Sequence, residues 1–142
     1  MIDYKKIEKY RENNRIEAKA AMGGLPQSIW ETYSAFANTL GGIILLGVEE
    51  KDNKTFNPLS LPEPEKLIKE FWDIINNPNK VSLNILSQKD VFIIEEDGCR
   101  FIAIAVPKAQ RIDKPIYIGA NPLTGTYRRD GEGDYKCTKD AV

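Results

Sequence analysis

Four residues separate Glu12 from Glu17, and Lys19 lies two positions beyond Glu17. If Glu12 closes a helix and Glu17 lies on the strand that follows, the two carboxylates converge. Glu17 and Lys19 then share one strand face. Two acids and a lysine so placed suit metal-dependent phosphodiester cleavage. The carboxylates hold a metal that polarises phosphate, and the ammonium offsets developing charge. The same spacing also describes a solvated face with an ion pair worth less than about 1 kcal/mol. On spacing alone the solvated face is the stronger reading.

A second group is Ser34-Ala35-Phe36-Ala37-Asn38-Thr39-Leu40-Gly41-Gly42. Ala35 and Ala37 allow close packing of a helix, and Asn38 and Thr39 put polar side chains at its end. A plain helix stop explains the two glycines well and Asn38 and Thr39 less well. Gly41-Gly42 and Gly47 lack the Gly-Lys-Ser/Thr close of a phosphate loop and carry no nucleotide-binding weight. A third group is Gly125-Thr126-Tyr127-Arg128-Arg129 before the turn Asp130–Asp134. An aromatic followed by two arginines suits phosphate contact and base stacking. It also suits an edge strand with protective charges. Alternation along a strand means that only one of Arg128 and Arg129 need face a ligand.

Absences narrow the chemistry. The 142 residues contain no histidine, which excludes Ser-His-Asp and Cys-His catalysis and His-ligated metals. Cys99 and Cys137 are the only cysteines, too few for a Cys-rich zinc site or disulfide framework. Catalysis would rest on carboxylates, Lys, Tyr, Ser or Thr with a hard metal such as Mg²⁺ or Mn²⁺. The net charge of −1 argues against coating nucleic acid by bulk charge. Its distribution is uneven: residues 107–142 hold seven basic and five acidic residues, residues 48–106 seven and eleven. A local basic face is compatible with a neutral total. No apolar run reaches membrane-span length and the charged start has no signal core, so a cytoplasmic protein is expected.

The elements that must position these groups follow from periodicity. Asp3 to about Asn13 reads as a helix with Ile7 and Tyr10 inward, stopped at Asn13-Asn14. Arg15–Ala21 reads as a short strand. A helix begins near Pro26 or Ser28, with Ser28 and Glu31 spaced as a capping box and Ile29, Tyr33, Phe36 and Leu40 forming its apolar stripe. Gly41-Gly42 ends it, and Ile43–Val48 follows as a strand buried on both faces. Asn53–Leu61 reads as loop. Pro64–Asn76 is a second amphipathic helix, burying Leu67, Ile68, Phe71, Trp72 and Ile75. Val81–Ser87 alternates weakly as a strand. Val91–Glu96 and Arg100–Val106 flank Asp97-Gly98, a hairpin signal. Ile112–Ile118 and Thr124–Arg129 are short, Pro-interrupted strands. Thr138–Val142 reads as a helix start that breaks off, so the chain is expected to be the N-terminal piece of something longer. The predicted fold is one α+β domain over residues 1–142: a mixed, largely antiparallel sheet with two or three packed helices.

Taken in order, Glu12, Glu17-Ala18-Lys19, Gly24-Leu25-Pro26, Ser34–Gly42, Gly47-Val48-Glu49-Glu50, Pro115-Ile116-Tyr117 and Gly125–Arg129 form a set that resembles the Schlafen AlbA-like domain family. The resemblance spans nearly the whole chain. Ala-Phe-Ala-Asn-Thr-Leu-Gly-Gly, followed by an apolar strand and Gly-Val-Glu-Glu, is its most specific part. It implies an α+β domain that binds DNA in bacterial transcriptional regulators, often ahead of an ATPase-like module and a winged-helix region. Some animal members cleave structured RNA with three carboxylates, which match Glu12, Glu17 and Glu50. This sequence departs from them at Glu50, where they use Asp, and at Ala18, where they use an aromatic. Those members also pair two lobes within one chain.

The resulting expectation is a noncatalytic nucleic-acid-binding domain, for DNA rather than RNA, acting as a homodimer without a cofactor. Arg15, Lys19, Arg128, Arg129 and Lys136 are expected to contact phosphate. Tyr127 is expected to stack, and Asn38 and Thr39 to position the backbone near that site. One alternative is a nuclease with Mg²⁺ or Mn²⁺ on Glu12, Glu17 and Glu50, assisted by Lys19. Another is a dimerisation module with no nucleic-acid role.

Overall fold

The structure is a computed structural model that describes residues 4, 12, 13, 15–138 and 141. The helix expected from Asp3 to about Asn13 falls almost wholly outside these residues, as does most of the expected helix start at Thr138–Val142.

A four-stranded sheet forms the centre, in the order β1 (Ile16–Lys19), β2 (Gly42–Leu46), β6 (Cys99–Val106), β5 (Val91–Glu96). β1 runs parallel to β2, and the other pairs are antiparallel. A parallel pair needs a crossover, supplied by helix α1 (Ile29–Asn38). Short pairs complete the sheets: β3 (Val48–Glu50) with β4 (Phe56–Pro58), and β7 (Tyr127–Asp130) with β8 (Gly133–Lys136). With α2 (Pro64–Ile75) and the one-turn α3 (Pro122–Gly125), this is an α+β fold of open sheets.

Both faces of the central sheet are buried. Ile44, Leu46, Ile102 and Ile104 pack with Ile29, Tyr33 and Phe36 of α1 and Leu67, Phe71 and Ile75 of α2. Leu45, Phe101 and Ala103 point the other way, against Ile16, Val48 and Phe56. Apolar residues at successive positions of β2 and β6 are what burial on two faces requires. Asp97 and Gly98 join β5 to β6 with φ of +51° and +79°, as a two-residue primed turn demands.

Several expectations need correction. α1 stops at Asn38, so Leu40 lies beyond the buried stripe and is 47% exposed. Ser28 has helical backbone angles and makes no cap. Its hydroxyl accepts a hydrogen bond from Lys19 Nζ instead, at 3.0 Å. The 53–61 segment contains β4, which buries Phe56 against β3. Val81–Ser87 is not a strand beyond a bridge from Val81 to Ile118. There the Tyr33 hydroxyl donates to Leu83 O at 2.7 Å and accepts from Ile85 N–H at 3.1 Å, satisfying backbone that a ladder would otherwise pair. Burial pushes that phenol up to about 12. Ile112–Ile118 likewise forms only isolated bridges.

Gly41 shows why the helix must stop where it does. Its φ is +75°, and its N–H closes the helix on Phe36 O at 2.7 Å. A Cβ there would lie 2.7 Å from Val106 O and 2.9 Å from Lys108 N, so only glycine lets β6's exit cross so close.

Candidate functional site

The site is organised by a latch between α1 and the β7–β8 hairpin. Ser34 Oγ donates to Ile116 O at 2.7 Å and accepts from Tyr127 N–H at 3.0 Å. Asn38 Nδ2 donates to Ile116 O at 2.8 Å and Tyr127 O at 3.0 Å, while its Oδ1 accepts from Ile116 N–H at 2.8 Å. Thr39 Oγ1 accepts from Arg129 N–H at 2.9 Å. These side chains complete the hydrogen bonding of backbone with no ladder partner of its own. Asn38 and Thr39 therefore act on the protein's own main chain.

Alternation then gives β7 two different faces. Arg129 points inward and its side chain is fully enclosed. Its Nε and Nη2 donate to Asn13 O at 3.1 and 2.8 Å, and Nη2 also donates to Ile16 O at 3.1 Å. Nη1 meets Asp134 Oδ1 at 2.8 Å and Glu17 Oε1 at 3.0 Å. The guanidinium carbon lies 4.9 Å from the centre of the Phe36 ring. Asp134, its cross-strand partner, also accepts from the buried Thr32 hydroxyl at 2.6 Å. With its donors committed to carboxylates and carbonyls, Arg129 anchors the hairpin to β1 and has none turned toward a ligand.

The outer face is different. Arg128 is 56% exposed along its side chain and, among the described residues, makes only a loose 3.8 Å approach to Asp130. Its cross-strand partner is Tyr135, itself 52% exposed. Tyr127, expected to stack, is only partly exposed. Its phenol is raised by desolvation and then by the charges of Glu31 and Asp134. Tyr135 was missed because Asp134-Tyr135-Lys136 gives no motif by itself; the pairing with Arg128 supplies the signal. Arg15 and Lys136 are exposed. Lys19 is largely covered and is held by Ser28 and, at 3.9 Å, by Glu17.

Three carboxylates gather near β1. Glu12, Glu50 and Glu132 each bring an oxygen within 4.8 Å of the others. The trio expected as Glu12, Glu17 and Glu50 is thus assembled with Glu132, from the β7–β8 turn, in the place given to Glu17. Glu17 stays beside Glu12 but is bound to Arg129. Glu12 Oε2 accepts from Ala18 N–H at 3.1 Å. Burial, then a carboxyl hydrogen bond with Glu17 and repulsion by its charge, raise the Glu12 pKa from 4.5 to about 7; Ala18 N–H and Arg129 oppose this. Three oxygens so placed form a donor set of the type that suits Mg²⁺ or Mn²⁺. Among the described residues, no helix is long and apolar enough to cross a membrane.

Comparison with known proteins agrees with this architecture. The family model for the Schlafen, AlbA_2 domain matches residues 12–138. The N-terminal domain of a protein related to the ATP-dependent DNA helicase RecG, from Nitrosomonas europaea, solved by solution NMR, is 25% identical with a TM-score of 0.66. The alignment covers 97% of this chain and 95% of that one. A crystal structure of the DIP2311 protein from Corynebacterium diphtheriae shares the fold at 17% identity and a TM-score of 0.55, covering 87% of this chain and 21% of that one. No curated protein sequence matches significantly. On a family match over almost its entire length, this chain belongs to the Schlafen AlbA_2 family.

Proposed function

We propose that this domain binds nucleic acid without cleaving it, as the DNA-contacting part of a cytoplasmic transcriptional regulator. The observation that carries this reading is the outer face of the β7–β8 hairpin. Arg128 and Tyr135 lie exposed across from each other there, on a strand pair anchored from behind by Arg129. A guanidinium beside an aromatic ring offers phosphate and base contacts together. Lys136 and Arg15 add positive charge at the rim. Family membership and the neighbour named for its relation to a DNA helicase support the same class of ligand. With few cations on this face and a net charge of −1 overall, binding is modest in strength and involves few phosphates.

Fluorescence anisotropy with labelled DNA and structured RNA, at low salt in EDTA and then with Mn²⁺, tests this reading. A rise in EDTA that persists with Mn²⁺ is the expected result, larger for DNA. Absence of any rise would overturn it. Sedimentation of the same samples checks the homodimer we infer.

A second reading is favoured by the convergence of Glu12, Glu50 and Glu132. In a nuclease these three would hold the divalent cation, and Glu17 would act on it only through Glu12. When bound, the cation supplies Lewis-acid polarisation of a phosphate oxygen. Lys19, 3.9 Å from Glu17, would offset the charge developing on the phosphate. Loss of the anisotropy signal with Mn²⁺, abolished by Glu50→Gln, would establish this reading over the first.

A further inference from the structure

We propose that Tyr135 is a preformed stacking platform for an unpaired base, which makes single-stranded DNA the preferred ligand of the hairpin. This rests on the nucleic-acid reading of the same face.

Exposed tyrosines are ordinary, so exposure alone carries little. The seating of this one is specific. Gly133 lies two residues before Tyr135 on β8 and so shares its face. A Cβ built on Gly133 would lie 2.9 Å from both Cε2 and Oη of Tyr135 and 3.0 Å from Cζ. The phenol end therefore leans back over the glycine, closer than any side chain at 133 would permit. One side of the ring rests on main chain, and about half of the residue remains open to solvent. A ring held this way has already given up rotamer freedom and loses less on binding.

Charge around the ring decides between single strand and duplex. Arg128, directly across from Tyr135, can meet the phosphate of the nucleotide whose base stacks. Beyond it the hairpin tip turns acidic, with Asp130 and Glu132 both exposed. A duplex would bring a second phosphate chain toward those carboxylates, and its paired bases offer no free ring face. A single strand needs only one base and one or two phosphates at this spot, and can bend away from the tip.

The test uses anisotropy in EDTA with a labelled oligothymidylate of about ten nucleotides and a duplex of equal length. It compares the wild type with Tyr135→Ala, Tyr135→Leu and Tyr135→Phe. The wild type is expected to bind the single strand about tenfold or more tightly than the duplex. Tyr135→Ala and Tyr135→Leu should each weaken single-strand binding about tenfold or more while leaving duplex binding unchanged. Tyr135→Phe should keep the preference, and thermal melts of Tyr135→Ala and Tyr135→Leu that match the wild type show that loss there is not a folding effect. Single-strand binding that survives Tyr135→Ala, or an equal loss on both ligands, would overturn the platform. Wild-type binding to the duplex as tight as to the single strand would overturn it too, while sparing the nucleic-acid reading. No binding to either ligand by the wild type would overturn both.

Discussion

Arg128 and Arg129 are neighbours of identical chemistry with opposite fates. The inner arginine is enclosed, spans β7 to β1, and meets Asn13, Ile16, Glu17 and Asp134. The outer arginine is more than half exposed and, among the described residues, has only a loose 3.8 Å approach to Asp130. The β-strand's two-residue period makes one arginine architecture and its neighbour contact surface. The same division separates Asp134 from Tyr135 on the facing strand. It teaches that the charge of a motif says little until the strand face is known.

The inner face is broken most severely at Arg129. Arg129→Ala leaves the Glu17 and Asp134 carboxylates without their buried cation and takes one set of donors from the Asn13 and Ile16 carbonyls, so a loss of about 3–5 kcal/mol is expected in chemical denaturation. Arg129→Lys keeps the charge but not the planar fork and should recover only part of this. Asn38→Ala should cost about 2–3 kcal/mol, since it removes the acceptor of Ile116 N–H and the donor to two carbonyls. Hydrogen exchange should show faster loss of protection at the Ile116 amide than in β6.

The carboxylate cluster gives a smaller, pH-dependent effect. Glu12 titrates near 7 in the native chain and near 4.5 when unfolded. Between those values the native state holds the proton more tightly, so stability should fall as pH rises from about 5 to about 8. The effect is on the order of 1 kcal/mol once solvent screening is allowed for. Glu12→Gln should flatten this slope in thermal melts across that range. At the small end, Arg128→Ala should change stability by less than about 0.5 kcal/mol, as surface substitutions do. A large loss there would erase the distinction between the two faces.

Strong local signals made much of the fold legible. Asp97-Gly98 between apolar runs marked the β5–β6 hairpin, and helical spacing marked α1 and α2. β4 was hidden because Phe56-Asn57-Pro58 is three residues long and ends in proline. Val81–Ser87 misled because Tyr33, about fifty residues upstream, takes its backbone bonds. In the site, alternation showed that one arginine of the pair need face out, but not which. That depended on Glu17 and Asp134 meeting Arg129. Asn38 and Thr39 were legible as important and opaque in detail, since their partners at Ile116, Tyr127 and Arg129 lie far along the chain. Glu132 entered the carboxylate cluster only because the β7–β8 turn folds back toward Glu12 and Glu50.

The most direct measurement is the salt dependence of nucleic-acid affinity for the wild type and Arg128→Ala, by anisotropy in EDTA. If the outer face of the hairpin is the contact surface, Arg128→Ala binds more weakly at every salt concentration. Its log–log slope should be shallower by about 0.7 on a single strand, the loss of one phosphate contact. Equal affinity and equal slope in the two proteins would contradict the assignment of that face.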